Sequence, residues 1–179
     1  MAHDLVIGGS GMLAGLVAAL AQDGRQVTVV ARGRVRLQRL AAQHPNIHPL
    51  VLDYFDDATF DAGLAAAAGR LGPFSRCVAW MHDDSKARAV RIARQVGDVY
   101  CEVLGSASAD PAKPDALAEW QALIPTPPRL RLAVLGFVWE GRSARWLSND
   151  EISTGVGRAL ESEDPVTIVG TVTPWSARP

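Results

Sequence analysis

The chain has 179 residues, a net charge of −1, 48% hydrophobic residues and 21% charged residues, a composition typical of one globular domain with a substantial core. The balanced charge provides no general attraction to nucleic acid or to an anionic membrane, and no apolar run reaches the roughly 18–20 residues of a membrane span. A strand pattern begins by residue 4, which leaves no room for a signal peptide. We therefore expect one cytoplasmic domain over 1–179.

A glycine-rich turn follows the first strand pattern. The apolar run 5–7 ends in this turn, and a helical pattern starts at once. This order is typical of the dinucleotide-binding corner of a Rossmann sheet, where glycines let the backbone approach a pyrophosphate and Ala14 would take the third small position. The helix N-terminus offers free N–H groups to the phosphates. We predict that dinucleotide phosphates contact Gly8, Gly9, Ser10, Gly11, Met12 and Leu13. The alternative is a turn that serves packing only.

Strand and helix patterns alternate along the rest of the chain, which indicates a parallel sheet covered on both faces. The predicted strands are 5–7, 26–31, 46–52, 76–81, 98–104, 129–138 and 166–172. Right-handed crossovers predict the strand order 3-2-1-4-5-6-7, with the ligand at the carboxyl edge near strands 1 and 4. The expected fold class is α/β: a Rossmann-like, doubly wound, mainly parallel seven-stranded sheet in three layers, α/β/α.

The predicted helices begin at small polar residues and end near glycine or proline. They cover the stretch up to about residue 23, 35–43, Asp56 or Asp57 to 71, Asp83 or Asp84 to Val96 before Gly97, 115–123, and 148–160. The last of these opens with a capping box at 148–151. The proline-rich stretch 109–128 is irregular apart from its short helix.

These features together resemble the short-chain dehydrogenase/reductase family over nearly the whole chain. The matching pieces are the turn 8–15, Asp53 (followed by Tyr54) at the end of strand three, the loop after strand four, and 136–138 after strand six. The resemblance implies that Asp53 holds an adenine and that the segment with Gly136 and Val138 lies against a nicotinamide. The segments 146–152 and 170–175 are also similar to small bacterial proteins that are named short-chain dehydrogenases by similarity alone.

The Tyr-x-x-x-Lys pair on which this family's catalysis depends is missing. In the family the lysine lowers the pKa of the tyrosine, whose hydroxyl exchanges a proton with a carbonyl or alcohol. Here Tyr54 and Tyr100 are the only tyrosines, and neither has a lysine four positions on. The family's serine at the end of strand five has a counterpart in Ser106 or Ser108, and the segment 139–147 is short for a substrate lid. Ordinary short-chain dehydrogenase catalysis is therefore not expected.

The end of strand two indicates which dinucleotide is preferred. An Asp or Glu there would bond the ribose 2′-OH of NAD, but 31–34 contains no acid. The planar guanidinium of Arg32 suits a 2′-phosphate, and Arg36 and Arg39 add to the positive field. The alternative is a solvated basic helix face, above all for Arg34 and Arg39. We predict NADP(H) rather than NAD(H).

Candidate catalytic residues lie after strands four and five. His82 follows strand four at the ligand edge and by position approaches the nicotinamide ribose as a proton donor. The alternative is a loop histidine beside a helix cap at Asp83. Trp80 either lines the pocket or packs in the core, and Ser106 is the second catalytic candidate.

Other reactive side chains favour structural roles. Cys77 and Cys101 lie in strand patterns and, without a secretion signal, indicate reduced core thiols. The histidines outside this loop show no metal-ligand spacing, so no metal site is predicted. The tail 173–179 contains a tryptophan, which packs against its own chain or against a second copy in a homo-oligomer.

The sequence leaves two functions open. One is an NADP(H)-dependent oxidoreductase that uses His82 or Ser106, or that only delivers a hydride to an activated acceptor. The other is a non-catalytic dinucleotide-binding sensor or regulatory protein. The retained Gly9, Gly11, Arg32 and Ser106 argue against a third hypothesis, a relic with an empty pocket. The expected partners are a dinucleotide and, for the oxidoreductase, a small-molecule substrate of unknown identity.

Overall fold

A parallel sheet forms the centre of the computed structural model, which describes residues 1–82, 86–124 and 126–179. The strands are β1 (His3–Ile7), β2 (Gln26–Ala31), β3 (Ile47–Val51), β4 (Phe74–Ala79), β5 (Val96–Leu104), β6 (Arg129–Leu135), β7 (Phe137–Glu140), β8 (Ser143–Trp146) and β9 (Val166–Val169). Seven of them form one sheet in the order β3-β2-β1-β4-β5-β6-β9, with every neighbouring pair parallel. The predicted strand order is confirmed.

Helices cover both faces of this sheet, which confirms the three-layer fold. They are α1 (Ala14–Gln22), α2 (Arg34–Ala41), α3 (Asp57–Leu71), α4 (Lys86–Ala93), α5 (Ala116–Leu123) and α6 (Asn149–Glu161). Because side chains alternate along a strand, Val6 packs with α1, α2 and α6 on one face, while Leu5 and Ile7 pack with α3, α4 and α5 on the other. In the described part of the chain, no helix has both the length and the apolar character that a membrane crossing requires.

Two predicted helix starts are confirmed by their caps. The Asp56 carboxylate accepts a hydrogen bond from the Thr59 N–H at 3.3 Å. The capping box before α6 is complete, since Ser148 and Glu151 each bond the backbone of the other. The predicted start of the fourth helix at Asp83 or Asp84 lies outside the described residues.

The predicted end of that helix at Val96 is wrong. The structure ends α4 at Ala93, and both Val96 and Gly97 belong to β5. Val96 is buried and pairs with Phe74 of β4. A β-branched residue is stabilised by cross-strand packing at such a position, which outweighs the signal of the following glycine. The fourth strand itself covers Phe74–Ala79 rather than 76–81.

The sixth and last strands are shorter than predicted. β6 ends at Leu135 instead of Val138, because the chain leaves the sheet at Gly136 and forms the antiparallel hairpin β7–β8. This hairpin was not predicted from the sequence. β9 ends at Val169 instead of Val172, because Gly170 adopts a positive φ of 80°, a conformation that favours glycine.

Candidate functional site

A cleft of about 280 Å³ opens at the carboxyl ends of the central strands, where parallel α/β sheets bind their ligands. We call it the first cleft. Its lining contains the glycine turn, the end of β2 and the loops after β3 and β4, through Gly8, Ser10, Gly11, Met12, Val30, Ala31, Arg32, Gly33, Arg36, Leu52, Tyr54, Trp80 and His82. The structure thus brings together most of the residues predicted to contact a dinucleotide.

The glycine turn presents free backbone amides to this cleft. Gly8 has a φ of 79° and donates its N–H to the Val30 carbonyl at 2.9 Å. Among the described residues, the N–H groups of 9–13, which lead into α1, have no hydrogen-bond partner. A Cβ added at Gly11 would meet no protein atom within 4 Å. The turn therefore fits an anionic group that approaches the backbone closely, as helix N-termini do for phosphates.

Two residues of the predicted phosphate-binding set have packing roles. A Cβ at Gly9 would lie 2.8 Å from methyl groups of Val6 and Val29, so this glycine lets α1 pack closely on the strands. Leu13 is fully buried in the core on the same face. Neither residue lines the first cleft, whereas their backbone amides belong to the turn.

Ser153 of α6 holds the turn in place, a role that the sequence analysis missed. Its buried hydroxyl donates a hydrogen bond of 2.8 Å to the Met12 carbonyl. The same hydroxyl would lie 3.1 Å from a Cβ on Gly15, so the glycine permits this contact between α1 and α6. No sequence signal connects two residues that are 141 positions apart.

Two arginines give the first cleft a positive end. Arg32 follows β2 and Arg36 lies in the first turns of α2, and both side chains line the cleft. Among the described residues, neither guanidinium has a hydrogen-bond or ion-pair partner. An exposed cation without a partner at the end of β2 fits an anionic ligand group better than a neutral one.

The other wall combines three aromatic rings. The buried Tyr54 accepts a hydrogen bond from the His82 N–H at 3.1 Å. The His82 ring packs edge-on against Trp80 with 5.0 Å between ring centroids. Asp53 does not line the cleft, because its carboxylate accepts the Phe55 N–H at 3.1 Å within its own loop. Its contact with an adenine stays a prediction.

A second cleft of about 390 Å³ shares Met12 with the first. Its walls come from the turn after β5, the end of β6, the end of the hairpin and the start of α6, and they comprise Met12, Gly105, Ser106, Leu135, Gly136, Trp146, Leu147, Asn149 and Ile152. The two predicted catalytic residues are therefore separated, since His82 lines the first cleft and Ser106 the second. Sequence analysis did not predict the contributions of Trp146 and Asn149.

The two residues of the predicted nicotinamide-binding segment, Gly136 and Val138, lie in different places. Gly136 lines the second cleft, and a Cβ there would lie 2.1 Å from the Thr171 carbonyl oxygen, so close packing against the last segment requires glycine. Val138 instead lies on the opposite side of the hairpin, in a groove with Leu147 and Asp150. Contact between Val138 and a nicotinamide stays a prediction.

The thiols and a buried carboxyl lie away from both clefts. Cys77 and Cys101 are buried and unpaired, as predicted, and burial raises the pKa of Cys101 to about 12. Burial also raises the pKa of Glu102 to about 8, although the hydrogen bond that it accepts from the Tyr100 hydroxyl opposes this shift. These groups are protonated at neutral pH, which makes the thiols poor nucleophiles.

The parallel sheet and the glycine turn after β1 define a Rossmann-type α/β fold. No protein-family model matches the sequence, and no curated protein matches it. Solved structures show which fold it is. An oxidoreductase from Aeromonas hydrophila, assigned to the short-chain dehydrogenase/reductase family, superposes with a TM-score of 0.68 and 19% identity over 95% of this chain and 98% of that one. A variant of the actinorhodin polyketide ketoreductase, solved with NADPH, superposes with a TM-score of 0.71 and 16% identity over 96% of each chain. The fold is that of the short-chain dehydrogenases/reductases.

Proposed function

We propose that the chain is an NADP(H)-binding protein of the short-chain dehydrogenase/reductase type, and an oxidoreductase that works without the usual tyrosine and lysine. One observation carries the proposal: the turn residues Ser10, Gly11 and Met12 line the same cleft as Arg32 and Arg36, and among the described residues neither their amides nor these guanidiniums have a hydrogen-bond partner. The likeness to a ketoreductase that was solved with NADPH supports it further. We also propose that 1–179 form one domain and that it acts in the cytoplasm.

Different residues of the first cleft would contact different parts of the dinucleotide. The amides of the turn would bond the pyrophosphate, with the positive end of the α1 dipole behind them. Arg32 and Arg36 would hold the 2′-phosphate, which distinguishes NADP(H) from NAD(H). Val30 and Leu52 provide apolar surface for the adenine, and Met12 leads from this cleft into the second. When bound, NADPH would supply a hydride.

The two predicted catalytic residues would then have separate tasks. Ser106 lines the second cleft, where its hydroxyl would orient a carbonyl oxygen. His82 lies beside Trp80 in the first cleft and would donate a proton only to a group bound on that side. Both roles are proposals.

Titration of nicotinamide fluorescence with NADPH and NADH tests the cofactor. We expect NADPH to bind more tightly than NADH and Arg32→Ala to weaken NADPH binding by about tenfold or more, because a charge-assisted hydrogen bond is lost. NADH binding should change little. Arg39→Ala is the matched control, since Arg39 is an exposed arginine of the following helix α2 that does not line the cleft. Equal affinity for both dinucleotides, or equal effects of the two substitutions, would contradict the assignment.

A second function, a non-catalytic sensor of NADP(H), is favoured by the missing Tyr-x-x-x-Lys pair. Neither tyrosine can replace that pair in the second cleft, because Tyr54 lines the first cleft and Tyr100 is buried against Glu102. A panel of carbonyl substrates with NADPH distinguishes the two functions. Tight NADPH binding without turnover of any acceptor would favour the sensor.

A further inference from the structure

The second cleft lies beside the phosphate-binding turn and is apolar over most of its wall. Met12 belongs to both clefts, so a ligand part that extends past this residue enters the second one. Leu135, Leu147 and Ile152 form its floor and sides, and Trp146 lies at its mouth with 49% of its surface exposed. An indole of this kind offers a large flat contact surface to a ring.

The position of Trp146 is fixed from two sides. The β7–β8 hairpin is bonded to the segment after β9, because Phe137 and Thr171 exchange two backbone hydrogen bonds of 2.9 and 2.8 Å. On the facing strand, next to Trp146, Arg145 donates to both carboxylate oxygens of Glu151 at 2.8 and 3.1 Å. The hydrogen bond from Arg145 lowers the pKa of Glu151 to about 2, so the pair persists throughout the neutral range. The wall of the cleft is therefore built in advance of any ligand.

The polar groups of the second cleft are neutral. Ser106 contributes a hydroxyl and Asn149 an amide, and among the described residues that line this cleft none has a titratable side chain. Within the same part of the chain, neither of these side chains has a hydrogen-bond partner. The lysine of α4, Lys86, is bonded to Glu119 on the far side of the sheet. The described residues that line the cleft thus offer hydrogen bonds to an oxygen but no acid to protonate it.

We propose, on the basis of the function proposed above, that the second cleft takes a neutral, flat, conjugated carbonyl compound such as a cyclic enone or quinone. Its ring would pack against Trp146, and its carbonyl oxygen would accept hydrogen bonds from Ser106 and Asn149. In the reaction, the acceptor's β-carbon would gain a hydride, which NADPH would supply when bound, leaving NADP⁺. The C=C π electrons shift to make an enolate, and water supplies the one proton that completes the product.

The neutral lining of the second cleft favours a conjugated acceptor over an isolated ketone. An isolated ketone would become an alkoxide, whose localised charge needs an acid in the transition state. A conjugated acceptor spreads the charge over carbon and oxygen, and two neutral donors stabilise that oxygen in the manner of an oxyanion hole. Protonation by water can then follow hydride transfer.

Matched acceptors test this substrate class. With NADPH, we expect 2-cyclohexen-1-one to be converted to the saturated ketone, and cyclohexanone, which has the same ring without the double bond, to give no alcohol. Chromatography identifies the products. A larger pair of acceptors, 1,4-naphthoquinone and 1-tetralone, repeats the comparison. Reduction of cyclohexanone at a comparable rate would overturn the proposal.

Tryptophan fluorescence gives a readout that does not depend on turnover. Quinone binding should quench the indole of Trp146, so Trp146→Phe should remove most of the quenching and raise KM at least tenfold. Trp139→Phe is the matched control, because Trp139 lies on the same face of the hairpin with the same 49% exposure but does not line the cleft. Equal effects of the two substitutions would overturn the proposed location.

Ser106→Ala should lower kcat/KM for the enone by about 10- to 100-fold while NADPH affinity stays unchanged. NADPH binding, measured by nicotinamide fluorescence before any acceptor is added, separates the two proposals. If NADPH binds but no conjugated acceptor is reduced or quenches fluorescence, the substrate class is wrong and dinucleotide binding stands. If NADPH does not bind, both proposals fail.

Discussion

Charged side chains have opposite surroundings at the two ends of the central strands. At the amino ends, Asp4 accepts hydrogen bonds from both Arg25 and Arg76, and Arg76 also bonds Glu161. At the carboxyl ends, Arg32 and Arg36 line the first cleft, and within the described residues neither has a partner. The buried charges at the amino ends are paired within the protein, whereas the two arginines of the first cleft, which have no partner among the described residues, lie where we propose that a ligand binds.

This difference separates residues that stabilise the protein from residues for which we propose a binding role. Burial opposes the charge of Arg76, but its bonds to Asp4 and Glu161 outweigh burial and raise its pKa. Removing one member of such a buried set leaves the others uncompensated. Removing a solvent-exposed cation from the first cleft costs the fold little, because water already solvates it.

The largest expected effect is at the amino end. Asp4→Asn should lower the free energy of unfolding by about 3–5 kcal/mol, because the buried Arg76 loses its buried carboxylate partner and keeps the solvent-exposed Glu161 in its place. Urea denaturation measures the change. Asp98→Asn is the control: Asp98 forms an exposed pair with Arg129 at 2.8 Å, and its loss should cost about 1 kcal/mol or less. Similar losses for both would refute the assignment of the amino end to stability.

Glu102 is a buried carboxyl that forms no ion pair with the described residues, and its effect on stability should depend on pH. Glu102 has a pKa of about 8 in the fold against an ordinary value of 4.5, so the unfolded chain loses this proton first as the pH rises. The contribution of the protonated Glu102 to stability is fully present below about pH 4.5 and is lost as the pH approaches 8. Over this range the unfolding free energy should fall by on the order of 2–4 kcal/mol. Glu102→Gln should remove this fall in denaturation curves at pH 5, 6.5 and 8.

The exposed Glu163→Gln serves as the control for that series, because Glu163 is solvated in both states. Its pH dependence should match that of the unchanged protein. An unchanged pH profile for Glu102→Gln would show that Glu102 ionises normally in the fold.

The smallest expected effect on stability distinguishes two glycines of the turn. Gly9→Ala brings its Cβ to 2.8 Å from two valine methyl groups and should cost about 1–3 kcal/mol through overpacking. Gly11→Ala meets no protein atom within 4 Å, so thermal unfolding should stay nearly unchanged while NADPH affinity falls by about tenfold or more. A stable Gly11→Ala protein with normal NADPH affinity would contradict phosphate binding at the turn.

The sequence predicted the parts of the site that are local. The glycine turn, the missing acid after β2 and the alternation of strands and helices are each contained in a short stretch. The periodicity of apolar residues, together with right-handed crossovers, was enough to predict the sheet order that the structure confirms. Strand ends were less predictable: at Val96 and Leu135, neighbours from distant segments determine where pairing begins or ends.

By itself, therefore, the sequence determined the α/β fold and the glycine turn after β1, because both follow from local backbone preferences and apolar periodicity. Only the tertiary structure determined the second cleft, where Met12, Ser106 and Trp146 come together from the two ends and the middle of the chain. Likewise, the hydrogen bond from Ser153 to the Met12 carbonyl joins residues 141 positions apart. Such contacts depend on how α6 and the hairpin pack against the sheet, which no short stretch of sequence encodes.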